Sequence, residues 1–220
     1  MIRLRLLLLT PLLFCILLDS ASANSPIGHS GYYLGVAGAV SVLGTAKAED
    51  NLGSYNLKSD PGTLLSLQVG YDLPVGGLFG NGRVELEYNQ WNNDFTKVEF
   101  RDGTFDTRGS LKGRSLMLNS FATFPNGTRL TPYAGVGLGV AQLKIDQLTI
   151  DPKPLINDKD MIFAGQGGCG IGVEIYSHLR LDLGYRYFAS VRPELKDADG
   201  RKVKLNLNAH RLMLGLVLLF

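Results

Sequence analysis

The chain has 220 residues and a formal net charge of +2, which gives no electrostatic reason to expect binding to nucleic acid. Hydrophobic residues make up 45% of it, and glycine is frequent at 27 residues against nine prolines. This composition excludes collagen-like, coiled-coil and disulfide-rich proteins as well as low-complexity disordered chains.

Residues 1–23 have the three-part layout of a secretory signal peptide. Arg3 and Arg5 provide a positive start, a mostly apolar run follows, and small residues close the segment. The apolar run is shorter than the ~20 residues that a membrane-spanning helix needs, which disfavours an uncleaved anchor. We predict cleavage after Ala23, which leaves residues 24–220 as the mature domain.

The mature sequence contains eight segments in which apolar residues alternate with small, polar or charged ones. This period of two is that of a β-strand, whose successive side chains point to opposite faces. The segments are residues 32–42, 65–73, 83–89, 115–124, 134–140, 163–175, 179–187 and 211–220. The alternation predicts an all-β domain, and by itself it fits both a soluble sandwich and a membrane barrel.

The connections between the segments favour the barrel. Long polar connections follow the odd-numbered segments, and short turns follow the even-numbered ones. The long connections are residues 44–61, 92–113, 146–160 and 189–202, and the short turns are residues 74–82, 125–130 and 177–178. Long loops on one side and short turns on the other are typical of outer-membrane barrels.

Aromatic residues and the end of the chain favour the same fold. The apolar faces carry aromatic side chains near both ends, as in the two interfacial girdles of a membrane barrel: Tyr32, Tyr71, Phe124 and Phe220 towards the short turns, and Phe163 and Tyr187 towards the long connections. The last segment must pair with the first, because an open edge in lipid leaves backbone groups unsatisfied. We predict an eight-stranded antiparallel transmembrane up-and-down barrel.

Three segments and the last residue resemble OmpA-type eight-stranded outer-membrane barrels, a family that includes opacity-type surface antigens and porin-like proteins. They are Gly-Tyr-Tyr-Leu-Gly at 31–35, Thr-Pro-Tyr-Ala-Gly-Val-Gly-Leu-Gly at 131–139, Leu-Asp-Leu-Gly-Tyr-Arg-Tyr-Phe at 181–188, and Phe220. The resemblance implies a location in the outer membrane of a Gram-negative cell envelope, with both termini in the periplasm. It also implies passage by periplasmic chaperones and insertion by the barrel-assembly machinery, with Phe220 as part of the assembly signal.

Strand parity places nine charged residues on the face that points into the lumen: Asp72, Arg83, Glu85, Glu87, Glu174, Arg180, Asp182, Arg186 and Arg211. Five acids and four bases are nearly balanced, which favours internal salt bridges over a proton or ion path, since eight strands leave an interior filled by side chains. We expect Glu85 and Glu87 to meet Arg180 and Arg186 across the lumen.

Three cationic or titratable residues fall on the apolar face near the long connections, namely Arg114, Lys144 and His210. Contact with the phosphates of lipopolysaccharide and ordinary solvation are both compatible with this placement. His210 has no serine or carboxylate beside it in sequence that would make it a catalytic base. We predict no catalytic, cofactor-binding or metal-binding residues.

These features predict a non-enzymatic outer-membrane barrel with a structural or surface-contact role through four long extracellular loops. Its partners are expected to be outer-membrane lipids and lipopolysaccharide, with no cofactor and no nucleic acid. Two alternatives stay open: an adhesin or immune-evasion surface antigen that binds a host or other surface ligand, and a lipid-A-modifying outer-membrane hydrolase.

Overall fold

The computed structural model describes residues 30–50, 53–74, 81–100, 102–150, 153–196 and 200–220, so the predicted signal peptide lies outside the described residues. In chain order the strands are β1 Gly31–Leu43, β2 Ala46–Asp50, β3 Gly53–Ser59, β4 Gly62–Asp72, β5 Gly82–Phe100, β6 Gly103–Asp106, β7 Arg108–Thr123, β8 Leu130–Ile150, β9 Lys153–Tyr176, β10 Leu179–Ser190, β11 Glu194–Lys196, β12 Lys202–Asn206 and β13 Asn208–Leu219. Within these ranges, no helix is both long and apolar enough to cross a membrane.

Eight of the strands form a closed ring of antiparallel pairs. The order around the ring is β1, β4, β5, β7, β8, β9, β10 and β13. The ring closes because β1 pairs with β13 over a long register that runs from Tyr33 opposite Leu219 to Leu43 opposite Ala209. The prediction of an eight-stranded antiparallel barrel is confirmed.

The outer face of the ring is an apolar belt. Its side chains are unusually exposed for their type, with Leu138 at 74% and Phe163 at 73% of their full accessible area. Soluble monomers rarely expose contiguous apolar surface of this extent, whereas a barrel in lipid requires it. The inward face of the same strands carries the buried charged and polar residues.

The predicted long loops are largely β-structure. β2 and β3 form a hairpin in the first long connection, β6 continues the wall in the second, and β11 lies in the fourth. β8 and β9 have 21 and 24 residues, about twice the ~9–11 that cross a bilayer. Together these parts form a wall beyond the apolar belt, which we call the extension.

The extension has an apolar interior. Its inward side chains form one buried cluster that continues upward from the polar lumen. The main members are Ala46, Ala48, Leu57, Val98, Leu111, Leu143, Ile145, Leu148, Ile156, Leu195, Val203 and Leu205. These residues lie outside the eight alternating segments, so the period of two does not predict this core.

Candidate functional site: a filled lumen and a cationic groove

The lumen near the short turns is occupied by two ion pairs. Arg180 Nη1 lies 3.0 Å from Asp72 Oδ2, and Arg83 Nη1 lies 3.3 Å from Asp182 Oδ2. The hydroxyl of Tyr133 donates a hydrogen bond of 2.6 Å to the same aspartate, and the Arg83 guanidinium lies 4.1 Å from the Tyr133 ring centroid. All four charged residues are buried, so each charge has its partner inside the wall.

Above these pairs, two glutamates accept hydrogen bonds from neutral groups. Glu85 accepts a hydrogen bond of 2.7 Å from the Tyr33 hydroxyl and one of 3.2 Å from the Asn119 amide. Glu87 accepts a hydrogen bond of 3.1 Å from the Asn119 amide and one of 3.2 Å from the Gln166 amide. The Tyr33 hydroxyl and the amides of Asn119 and Gln166, from three different strands, therefore donate to the two carboxylates and fill the centre of the barrel.

The predicted cross-lumen pairs occur only in part. Glu87 Oε2 lies 3.9 Å from Arg186 Nε, as expected, but Arg180 pairs with Asp72. Glu85 lies 4.0 Å from Arg83 on its own strand. Parity gives the face of each residue correctly, but the stagger of strands in a barrel decides which residues share a height.

Glu174 differs from the other eight lumen candidates. It is half-buried near the short turns, and among the described residues no ion pair joins its side chain to the network. Its cross-strand neighbour is Arg180, whose guanidinium binds Asp72.

Arg211 is buried, and no described carboxylate forms an ion pair with it. Its guanidinium lies between two rings, 4.4 Å from the Trp91 centroid and 4.2 Å from the Phe188 centroid. None of its three side-chain nitrogens has a hydrogen-bond partner in the described part of the chain. The stack lies where the polar lumen meets the apolar interior of the extension.

The outer wall carries a row of lysines just beyond the apolar belt. Lys112, Lys144 and Lys159 are directly opposite one another on β7, β8 and β9. Arg114 is one outward-facing position nearer the belt on β7. These four residues line a groove of about 740 Å³, which we call the cationic groove.

One acidic residue partly neutralises the cationic groove. Asp146 lies 2.8 Å from Lys112 Nζ and 3.4 Å from Lys144 Nζ. Hydrogen bonds from the two ammonium groups hold the pKa of the Asp146 carboxyl below its usual value. Arg114 and Lys159 are exposed and have no ion pair with any described residue.

The structure divides the three residues predicted to contact lipopolysaccharide. Arg114 and Lys144 share the cationic groove, but His210 is on β13, which is four strands from β7 and three from β8 around the ring. Its Nδ1 lies 2.6 Å from the Tyr185 hydroxyl, and its ring lies 5.1 Å from that of Tyr187. The sequence pattern gives the position of a residue along its strand, but it does not give the position of that strand around the ring.

Phe220 follows the last strand at the short-turn end. Its backbone nitrogen donates to the carbonyl of Tyr32 at 3.0 Å, which adds one bond to the closing ladder. The side chain is 60% exposed and contributes nothing to the interior.

Comparisons with known proteins agree with this geometry. The family described as "Outer membrane protein beta-barrel domain" matches residues 9–220. The fold is similar to Neisserial surface protein A, with a TM-score of 0.54, 19% identity, and coverage of 88% of this chain and 99% of that one. It is also similar to the outer membrane protein OprG from Pseudomonas aeruginosa, with a TM-score of 0.59, 16% identity, and coverage of 88% and 98%.

A curated relative matches over a shorter stretch. An uncharacterised protein of Brucella abortus (strain 2308) is 38% identical over 79 residues, which covers 32% of this chain. The match spans 28% of the relative's own length, so it provides no function for the whole protein.

Proposed function

Since the chain belongs to the outer-membrane β-barrel domain family and the protein is therefore located in the outer membrane, we propose that it is a non-enzymatic barrel with a structural and surface-contact role. The role is performed by the outer wall and the extension, which we place on the cell surface.

The observation that carries this proposal is the filled interior. Ion pairs and amide hydrogen bonds occupy the lumen, and the apolar cluster of the extension lies above them. An eight-stranded ring has an interior just wide enough for side chains to fill, and the described lumen residues and the apolar cluster occupy it at two successive levels. Function then depends on the outside of the barrel.

The orientation has a direct test. An epitope tag inserted at Gly103, in the hairpin of β6, is expected to be labelled on intact cells. A tag at Gly77, in a short turn outside the described residues, is expected to be labelled only after the cells are opened. Labelling of Gly77 on sealed cells would refute this orientation.

The structural role is tested by complementation. A strain that lacks the protein should become more sensitive to detergent and to large antibiotics, and the wild-type chain should restore resistance. A variant with the β2–β3 hairpin replaced by a short turn distinguishes the contribution of the ring from that of the extension. Unchanged sensitivity of the deletion strain would contradict a structural role.

A second candidate function, adhesion, is favoured by an aromatic cluster at the end of the extension. The rings of Tyr55 and Phe100 are 5.2 Å apart and those of Phe100 and Phe105 are 6.0 Å apart. Phe100 is 36% and Phe105 47% exposed, and exposed apolar side chains that lie side by side are more typical of an interaction site than single ones are. Cells carrying Phe100→Ser with Phe105→Ser are expected to lose attachment to host surfaces if the protein is an adhesin.

The lipid-A hydrolase alternative has weaker support. Among the described residues, the hydrogen-bond partner of the His210 ring is the Tyr185 hydroxyl and its aromatic neighbours are Tyr185 and Tyr187, which do not form a serine–histidine–carboxylate triad with it. Incubation of the refolded barrel with lipid A is expected to release no acyl chains, and released chains would restore this alternative.

A further inference from the structure

We propose that the outer wall from β5 to β10 is a binding site for one molecule of lipopolysaccharide, with its lipid A phosphates in the cationic groove and an acyl chain in an apolar groove nearer the short turns. The proposal rests on the outer-membrane location and the orientation proposed above. It does not require the structural role to be correct.

The positive charges of the cationic groove favour binding of an anion. Neighbouring strands are about 4.8 Å apart, so the row Lys112–Lys144–Lys159 places three positive charges within about 10 Å. Like charges directly opposite one another destabilise a sheet. Asp146 is the one acid that pairs with the row among the described residues, so the four cations and this carboxylate leave the groove with a net charge of +3, and Arg114 and Lys159 have no ion pair with a described residue.

The other groups in the groove suit phosphate. The amide side chains of Gln90, Asn92 and Gln142 line it beside the cations. Gln90 and Gln142 are the cross-strand neighbours of Arg114 on its two sides. An arginine fork with flanking amide donors binds a phosphate through several charge-assisted hydrogen bonds at once.

The groove is at the height of a lipid headgroup. The next outward-facing positions towards the short turns are Leu116, Val140 and Phe163, which are in register on β7, β8 and β9 and belong to the apolar belt. Phosphates held by Arg114 and the lysine row would therefore lie at the boundary between the belt and water. That boundary is where the headgroup of an outer-leaflet lipid lies.

A second groove lies nearer the short turns, on the belt part of β8, β9 and β10. Its volume is about 450 Å³, and Leu138, Phe163, Tyr187 and Val191 form its apolar sides. Glycines at 165 and 167 form its floor on β9, so the wall is concave there. Gly165 follows Lys159 by six residues, or about 20 Å along the strand, which is comparable to the depth of one leaflet.

The combination selects lipopolysaccharide among anionic ligands. Inorganic phosphate has no acyl chain for the apolar groove, and phosphatidylglycerol offers one phosphate to a groove with a net charge of +3. Lipid A carries two phosphates and several acyl chains on one headgroup, and it therefore matches both grooves.

The test measures binding of lipid A to the full barrel in nanodiscs made of zwitterionic lipid. Lys144→Gln with Lys159→Gln is expected to weaken binding at least about tenfold, because it removes two charge-assisted contacts. The matched control is Lys202→Gln with Lys204→Gln, two exposed lysines of the extension that pair with Glu194. Equal affinity of the groove variant and this control would overturn the proposal.

A second variant tests whether the apolar groove binds an acyl chain of lipid A. A Cβ on Gly167 meets no atom within 4 Å, so Gly167→Phe fills the apolar groove without a clash at the backbone. Gly38→Phe is the matched control, since Gly38 is equally open on the outer face of β1. Gly167→Phe is expected to weaken binding of lipid A but not of its deacylated phosphosugar.

Competition identifies the ligand. Inorganic phosphate and phosphatidylglycerol are expected to displace lipid A at least about tenfold less effectively than unlabelled lipid A does. Equal displacement by either would replace lipopolysaccharide with that ligand and overturn the proposal. Lipid A binding with normal envelope resistance in the deletion strain would refute the structural role alone.

Discussion

Arg211 lies at the level where the polar lumen gives way to the apolar interior of the extension. It is held by the faces of Trp91 and Phe188 and not by an acceptor. Each cation–π contact of a desolvated arginine is worth about 2 kcal/mol, or about 4 kcal/mol for two rings, while each unsatisfied buried nitrogen costs at least about 1 kcal/mol, or at least about 3 kcal/mol for three. The two effects nearly cancel, in contrast to Arg180, which lies 3.0 Å from Asp72.

We therefore expect Arg211→Met to change the free energy of unfolding by less than about 1 kcal/mol, and Arg180→Met to lower it by about 3–5 kcal/mol. The second substitution leaves the Asp72 charge buried and unpaired. Urea unfolding of the refolded barrel measures both, with Trp91 as the single tryptophan reporter and electrophoretic mobility as an independent probe. A cost for Arg211→Met as large as that for Arg180→Met would indicate a direct acidic partner for Arg211.

At this scale the sequence predicts the face of a residue better than its partner. Alternation placed Glu85, Asp182 and Arg211 inward, and all three are buried. The rings that hold Arg211 belong to β5 and β10, which are far apart in sequence and not neighbours in the ring. Such contacts depend on the stagger of the closed barrel, which no single strand encodes.

At the scale of the element, one seam of the extension is closed by side chains. The backbone nitrogens of Glu194 and Lys196 in β11 donate to the carboxylates of Asp160 and Asp158 on β9, at 2.9 and 2.8 Å. The same carboxylates also accept hydrogen bonds from the backbone nitrogens of the residues that follow them on β9. Aspartates thus occupy the place that backbone carbonyls have in the rest of the wall.

Asp158→Asn with Asp160→Asn is expected to loosen this seam without unfolding the ring, because an amide accepts more weakly than a carboxylate. Each lost charged hydrogen bond should cost about 1–2 kcal/mol of local stability. Hydrogen exchange should increase in β11 and β12 and stay unchanged in β1 and β13. Asp146→Asn, a similar change away from the seam, is the control, and equal exchange in both variants would contradict the role of the seam.

The last strand carries the second prediction for an element. The backbone of Phe220 adds one hydrogen bond to the closing ladder, and its ring is exposed on the outer face. Deletion of Phe220 should therefore change stability little but sharply reduce accumulation in the outer membrane, because the residue resembles the family's insertion signal. Normal accumulation, or a failure of the purified variant to refold, would contradict this division between assembly and stability.

The extension illustrates why some elements escape prediction from sequence. Alternation in the ring is uninterrupted, so all eight strands could be identified. In the extension the register shifts between Ile145 and Leu148, where Gln147 has a φ of 50°, and again between Lys58 and Ser59. A bulge of this kind reverses which residues point inward, so the apolar positions no longer follow a period of two.

At the scale of the whole molecule, we propose that the barrel is closed by two layers of side chains in series. The lower layer is the network of ion pairs and amides around Glu85 and Glu87. The upper layer is the apolar cluster of the extension. The two layers exclude solutes by different physics, since charged pairs fix the lower side chains and exclusion of water holds the upper ones together.

This arrangement predicts negligible ion conductance for the wild-type barrel in planar bilayers. Glu87→Ala with Arg186→Ala removes one ion pair of the lower layer, and replacement of the β2–β3 hairpin by a short turn opens the upper layer. Each variant alone is expected to remain silent because the other layer persists, and the combined variant is expected to give small, steady currents. The ordering is informative because a barrel closed by the lumen charges alone would already conduct in the first variant. Steady currents from the wild-type protein would show that neither layer seals the barrel, and a small pore would then be the better description of its function.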